Sequence, residues 1–90
     1  MTTVLIPTLF RKHTAGQAQI DLPGDSVKAV LQNFINHFPA LGEYILTTEG
    51  EVVTFLSVFI NDKDIRFLQG TQTAVESTDR MTLIPAIAGG

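Results

Sequence analysis

The 90-residue sequence contains no cysteine. This absence excludes a disulfide framework, a thiolate metal cluster and a nucleophilic thiol. Charged side chains are also few, at 17% of the chain, and their formal balance is −3 at neutral pH. Because a negative balance has the wrong sign for a surface that binds nucleic-acid phosphates, we expect no nucleic-acid partner.

Long hydrophobic runs are also missing. The longest run, Phe55 to Ile60, is interrupted by Ser57 and is too short to cross a bilayer. The first three residues, Met1-Thr2-Thr3, lack the basic start of a secretory signal. We therefore expect a cytoplasmic protein with no membrane partner.

Motifs of enzyme active sites are absent as well. The glycines form neither a dinucleotide-binding fingerprint nor a phosphate-binding loop, and His13 and His37 complete no metal or hydrolase pattern. The Asp62 and Asp64 carboxylates have a D-x-D spacing, but their segment is typical of a turn. A chain this short also has little interior for a deep substrate pocket. The sequence predicts no catalytic residue, no metal and no bound cofactor, and it favours a binding or carrier module.

A composition that is 44% hydrophobic is sufficient for one folded domain over residues 1–90. Its strongest periodic signal is an apolar stripe with helical spacing after Pro23-Gly24, with Asp25 or Ser26 as the N-cap and Pro39 as the stop. A short second helix is predicted within 40–47. The residues of the stripe are Val27, Val30, Leu31, Phe34, Ile35 and Phe38.

The remaining apolar segments predict strands. Residues 3–10 and 17–22 form an antiparallel pair, with Val4 and Ile6 facing the core. Residues 52–60 form a central strand, 65–68 a short returning strand and 81–87 a last strand. The expected fold class is α+β, with one sheet of four to five strands packed on one main helix.

The sheet of such a fold has one face without a helix. Val58 and Ile60 are predicted to face the helix, which places Phe59 and Phe55 on the opposite face. Leu5 and Ile84 are candidates for the same uncovered face. Exposed apolar side chains of this kind are often partner surface, so these four residues are candidate partner contacts.

The last two residues, Gly89-Gly90, follow an apolar strand directly. Chance produces this final dipeptide in about 0.5% of chains, given a glycine frequency of ~7%. Two residues without Cβ, preceded by Ala88, make a slim and flexible tail over 88–90. Such a tail can place a terminal carboxylate inside the active site of another protein.

With this strand order and tail, the chain resembles the ubiquitin-like β-grasp sulfur carriers of the MoaD/ThiS family, and within them the CysO branch. The resemblance implies a mixed sheet and covers nearly the whole chain. The matching segments are Ile6-Pro7-Thr8 with Arg11, His13-Thr14 and Gly16-Gln17, then 58–67 with Asn61-Asp62 and Asp64-Ile65-Arg66-Phe67, then 82–90.

The resemblance implies a protein substrate rather than an enzyme. An E1-like partner would use ATP to adenylate the Gly90 carboxylate, which sulfide then converts to a thiocarboxylate. In the CysO branch the acceptor is a pyridoxal-phosphate-dependent cysteine synthase. By the family pattern, Gly89 and Gly90 are the functional residues, and Phe59 with Ile84 are partner contacts.

Three alternatives remain open at this point. A covalent modifier of lysines needs the same tail, and a molybdopterin synthase small subunit belongs to the same family. In the second case the sequence Leu83-Ile84-Pro85 departs from the aromatic-rich stretch and paired prolines usual before the glycines. A non-covalent β-grasp module would not need the glycines at all.

Overall fold

The computed structural model describes residues 1–86. The strands within these residues are β1 (Thr2–Leu5), β2 (Gln19–Leu22), β3 (Leu56–Ile60), β4 (Lys63–Asp64) and β5 (Arg80–Pro85). They form one sheet in the order β2-β1-β5-β3-β4. The α-helices within the described residues are α1 (Val27–His37) and the one-turn α2 (Gly42–Ile45).

The sheet is mixed. Strand β1 pairs antiparallel with β2 and parallel with β5, whereas β3 pairs antiparallel with both β5 and β4. The parallel pair is possible because the chain between β1 and β5 contains α1, which crosses one side of the sheet. This is the β-grasp arrangement expected from the sequence.

Helix α1 begins and ends as predicted. The Ser26 hydroxyl accepts the N–H of Ala29 at 3.1 Å and so caps the first turn. Phe38 ends the helix, because the residue before Pro39 is disfavoured in the helical conformation. Along the predicted stripe four side chains are fully buried, and Ile35 and Phe38 pack against the core from its edge.

The two faces of the sheet differ sharply in burial. Val4, Val58, Met81 and Leu83 point toward α1 and are at most 2% exposed. We call this side the covered face. The alternate residues of the same strands, including Ile84, form the open face, which none of the described helices covers.

The first predicted strand is too long. Residues 3–10 divide into β1 and a 3-10 helix at Thr8–His13. After Pro7, the Phe10 N–H donates to the Pro7 carbonyl at 2.9 Å, and this turn buries the Phe10 ring in the core. Arg11 Nε donates to the Ile6 carbonyl at 3.1 Å and holds the helix against the end of β1. The placement of Val4 and Ile6 in the core is confirmed.

Two further strand predictions are wrong in extent. The central strand begins at Leu56, not at residue 52, because Val52 bridges to Leu46 and the Leu56 N–H donates to the Val53 carbonyl across a turn. The returning strand lies at β4, and Ile65–Phe67 is a 3-10 helix capped by the Asp64 carboxylate.

The last strand occupies 80–85 instead of 81–87, and Ile87 lies outside the described residues together with the predicted 88–90 tail. Within residues 1–86, no helix has the length and apolar character needed to span a membrane.

Candidate partner-binding surface

Three of the four predicted contact residues lie together on the open face. Leu5 on β1 pairs with Thr82 on β5, and Thr82 in turn pairs with Phe59 on β3. Ile84 lies two residues along β5 from Thr82, on the same side of the strand. Leu5 and Phe59 are half-buried, and Ile84 is 47% exposed. The open face therefore carries an apolar triad around one threonine.

Phe55 does not join this triad. It lies just before β3, and its half-buried ring packs against the edge of the core. The strand that was expected to carry Phe55 beside Phe59 starts one residue later, because the chain turns at 54–55. Phe55 instead lines a separate depression at the end of β5.

A shallow depression extends the open face beyond Phe59. It is lined by Phe59, Lys63 and the 3-10 helix after β4, where Phe67 is 85% exposed and Leu68 is exposed beside it. Phe67 and Leu68 were not predicted as surface contacts, since their segment was assigned to a strand whose residues alternate between faces. The apolar phenylalanine directly after a charged, turn-forming segment was the available signal.

The acidic edge of this depression is fixed by one ion pair. The Asp64 carboxylate accepts Arg66 Nη2 at 2.6 Å, Arg66 Nε at 3.1 Å and the Arg66 backbone N–H at 2.9 Å. The side-chain hydrogen bonds from Arg66, then the backbone bond, hold the pKa of Asp64 below its usual value, although burial acts in the opposite direction. Asp64 is thus a fixed anion that shapes the segment carrying Phe67.

The second depression, which we call the groove, lies between the first 3-10 helix and α2 and has a volume of about 420 Å³. Three aromatic rings pack together at the groove. The Tyr44 ring stacks on the His13 ring with 6.3 Å between their centroids, and its centroid lies 6.4 Å from that of Phe10. Its lining residues are Leu9, Phe10, Lys12, His13, Tyr44, Phe55 and Ala86.

The path of β5 connects the groove to the end of the chain. The Ala86 N–H donates to the Phe55 carbonyl at 2.6 Å, which fixes Ala86 at the end of the groove. The predicted tail residues Ala88, Gly89 and Gly90 follow and lie outside the described residues.

The sequence matches the ThiS family model over residues 4–90. The chain belongs to the ThiS family. Over 90 residues it is 36% identical to sulfur carrier protein CysO of Mycobacterium tuberculosis, which covers 98% of this chain and 97% of that protein.

Two solved structures share the fold at full length. The Amycolatopsis orientalis CysO chain, crystallised as a BexX/CysO complex, superposes with a TM-score of 0.92 at 31% identity and covers 100% of both chains. Small archaeal modifier protein 1 of Methanosarcina acetivorans superposes with a TM-score of 0.83 at 26% identity, covering 99% of this chain and 95% of that one. These matches confirm the ubiquitin-like β-grasp fold.

Proposed function

We propose that this ThiS-family chain is a sulfur carrier, a protein substrate on which partner enzymes act. The observation that carries the proposal is the 36% identity to CysO across nearly the whole of both proteins. The fold supports it, since β5 ends at Pro85, five residues before Gly90, and the next residue, Ala86, is held by its hydrogen bond to the Phe55 carbonyl.

The proposed chemistry takes place on the Gly90 carboxylate in the active site of an E1-like enzyme. A carboxylate oxygen attacks the α-phosphorus of ATP and pyrophosphate leaves, which makes the carbonyl electrophilic as an acyl-adenylate. Hydrosulfide then attacks this carbonyl, a C–S bond forms, the C–O bond to AMP breaks, and a proton is released. The product is a terminal thiocarboxylate, and Ala88 and Gly89 offer no bulky side chain to obstruct access.

For the acceptor we propose a pyridoxal-phosphate-dependent synthase that makes cysteine from an activated serine derivative. The similarity to CysO supports this choice. The synthase would hold pyridoxal phosphate, and this chain would bring only the sulfur. A molybdopterin synthase subunit would instead co-purify with a larger catalytic subunit, and this difference separates the two acceptors.

The open face is the proposed docking surface for these partners. Leu5, Phe59 and Ile84 present apolar area that the core does not use. An apolar patch with polar surroundings is typical of a surface that associates and dissociates in each cycle.

Intact-protein mass spectrometry tests the proposal. The purified chain is incubated with ATP, sulfide and the E1-like enzyme of its own organism, and we expect the mass change of one sulfur replacing one oxygen. A variant that lacks Gly89 and Gly90 serves as the control and should gain no sulfur. A wild-type terminus that remains a plain carboxylate under these conditions would contradict the proposal.

A covalent modifier is the second candidate function, because small archaeal modifier protein 1 shares the fold at 26% identity. It requires the same adenylate, but a lysine amine attacks the carbonyl in place of sulfide. Isopeptide-linked ladders in cell extract that disappear when Gly90 is deleted would favour the modifier. A function that survives the deletion would favour a non-covalent module instead.

A further inference from the structure

The groove beside Ala86 exposes apolar surface that the fold does not require. Leu9 is 50% exposed and Tyr44 is 41% exposed, although both flank the buried Phe10. The Tyr44 ring is held in place by its contacts with Phe10 and His13 rather than extended into solvent. An apolar wall with fixed aromatic geometry loses little side-chain entropy when a partner covers it.

The groove lies close in sequence to the residue on which the partner acts. Four residues follow Ala86, and a fully extended stretch of that length spans at most about 14 Å. An enzyme whose active site holds the Gly90 carbonyl must therefore bring its entrance within that distance of Ala86. Because Ala86 lines the groove, the groove lies within reach of the rim of that entrance.

The charged side chains at the groove indicate which chemical groups of a partner would fit there. Lys12 is exposed at the rim and His13 stands beside it, on a chain with a formal charge of −3. The ion pair that residues 1–86 contain joins Asp64 to Arg66, so Lys12 has no acidic partner within that part of the chain. A cation beside an apolar wall is complementary to a carboxylate that neighbours an apolar side chain.

We infer that the groove is a second docking site, separate from the open face, for the enzyme that activates Gly90. It receives an apolar side chain against Leu9 and Tyr44 and an adjacent carboxylate against Lys12. The inference rests on the proposed function, because it needs a partner that acts on the terminal carboxylate. It adds a surface whose lining shares no residue with the apolar triad of Leu5, Phe59 and Ile84.

The test measures the steady-state kinetics of the E1-like enzyme, by pyrophosphate release, with the full-length carrier as the varied substrate. Leu9→Ser and Lys12→Glu should each raise KM about tenfold and leave kcat within about twofold, as expected for loss of a contact outside the reacting atoms. Lys28→Glu is the matched control, since Lys28 is an exposed lysine on α1 and the charge change is the same.

Varying the ionic strength distinguishes the charged contact at Lys12 from the apolar contact at Leu9. Raising the salt concentration should shrink the effect of Lys12→Glu, because exposed charges are screened, and should leave the effect of Leu9→Ser in place. All three positions are exposed, so circular dichroism should show an unchanged fold.

Four outcomes would overturn the inference. If the wild-type chain is not adenylated, the proposed function fails and the groove inference fails with it. If the wild type is adenylated and both groove variants have the KM of Lys28→Glu, only the groove inference fails. A lower KM in Leu9→Ser would indicate that the groove holds the chain's own terminal residues, and loss of concentration-dependent dimers without a change in KM would assign it to a second copy.

Discussion

The covered and open faces of the sheet are built by the same strands but differ in how deeply their side chains are buried. Leu83 and Ile84 are neighbours on β5, yet Leu83 is 2% exposed and Ile84 is 47% exposed. Because side chains alternate along a strand, each residue can serve either the core or a partner without compromise. In this chain, side chains that stabilise the core alternate with side chains that we propose to contact partners, and substitutions on the two faces should have separable effects.

The largest expected effect is the difference in stability between substitutions at these two neighbours. Leu83→Ala should lower the free energy of unfolding by about 2–5 kcal/mol, because it leaves a cavity between the sheet and α1. Ile84→Ala should change it by less than about 0.5 kcal/mol, since the side chain is half in water. Urea denaturation of both variants measures the difference. Equal losses at the two positions would mean that the open face is buried in solution.

A substitution at the residue that leads into α1 should lower the free energy of unfolding nearly as much. Gly24 has a φ of +147°, and a Cβ at this position would lie 2.7 Å from Val30 Cγ2 and 2.9 Å from the Val30 backbone nitrogen. Gly24→Ala should therefore cost on the order of 2 kcal/mol, from backbone strain and the clash with the helix.

Gly16→Ala is the matched control for this change. Its φ is +80°, but a Cβ there would have open space around it. Only the left-handed backbone is then penalised, so thermal unfolding should show a smaller decrease in Tm than for Gly24→Ala. A larger decrease at Gly16 would contradict the packing argument at Gly24.

The N-cap of α1 should make a smaller contribution to stability. Ser26→Ala removes the 3.1 Å bond from the Ala29 N–H and should cost about 1 kcal/mol of unfolding free energy. Ser77→Ala, an exposed serine in the loop before β5, is the control and should be neutral within about 0.5 kcal/mol. If both variants unfold at the wild-type urea concentration, the cap makes no net contribution.

The covered side was the more predictable part of the molecule. The stripe from Val27 to Phe34 identified α1, because burial against a sheet imposes the helical period on the sequence. Val4 and Ile6 were assigned correctly to the core, because side chains alternate between the two faces of a strand. On this side, the local sequence pattern indicates which side chains are buried in the packed core.

The segments that bend at the ends of strands were not predictable in this way. The Thr8–His13 turn depends on Phe10 reaching the core and on Arg11 bonding the Ile6 carbonyl, which are contacts that no periodicity encodes. Phe55 was misplaced because the bridge between Leu46 and Val52 shortens β3. The groove depends on such tertiary contacts, since Tyr44 and Phe55 are distant in sequence from Leu9.

The smallest expected effect lies at the edge of the open face, in the Asp64–Arg66 pair. The pKa of Asp64 is lowered in the folded chain, first by the hydrogen bonds from the Arg66 side chain and then by its backbone N–H. A depressed carboxyl pKa contributes stability that is present above the unfolded value, about 3.9, and is lost as pH falls through the folded value. Because Arg66 is 73% exposed, water and salt screen the pair and keep this contribution small.

Asp64→Asn should therefore reduce the loss of stability on acidification below about pH 4 and change the slope little at neutral pH. Asp62→Asn is the matched control, since it removes a carboxylate two residues away and leaves the pair with Arg66 intact. Urea midpoints measured from neutral to acidic pH compare the two variants. If both have the same acid dependence as the wild type, the ion pair positions Phe67 on the open face without stabilising the fold.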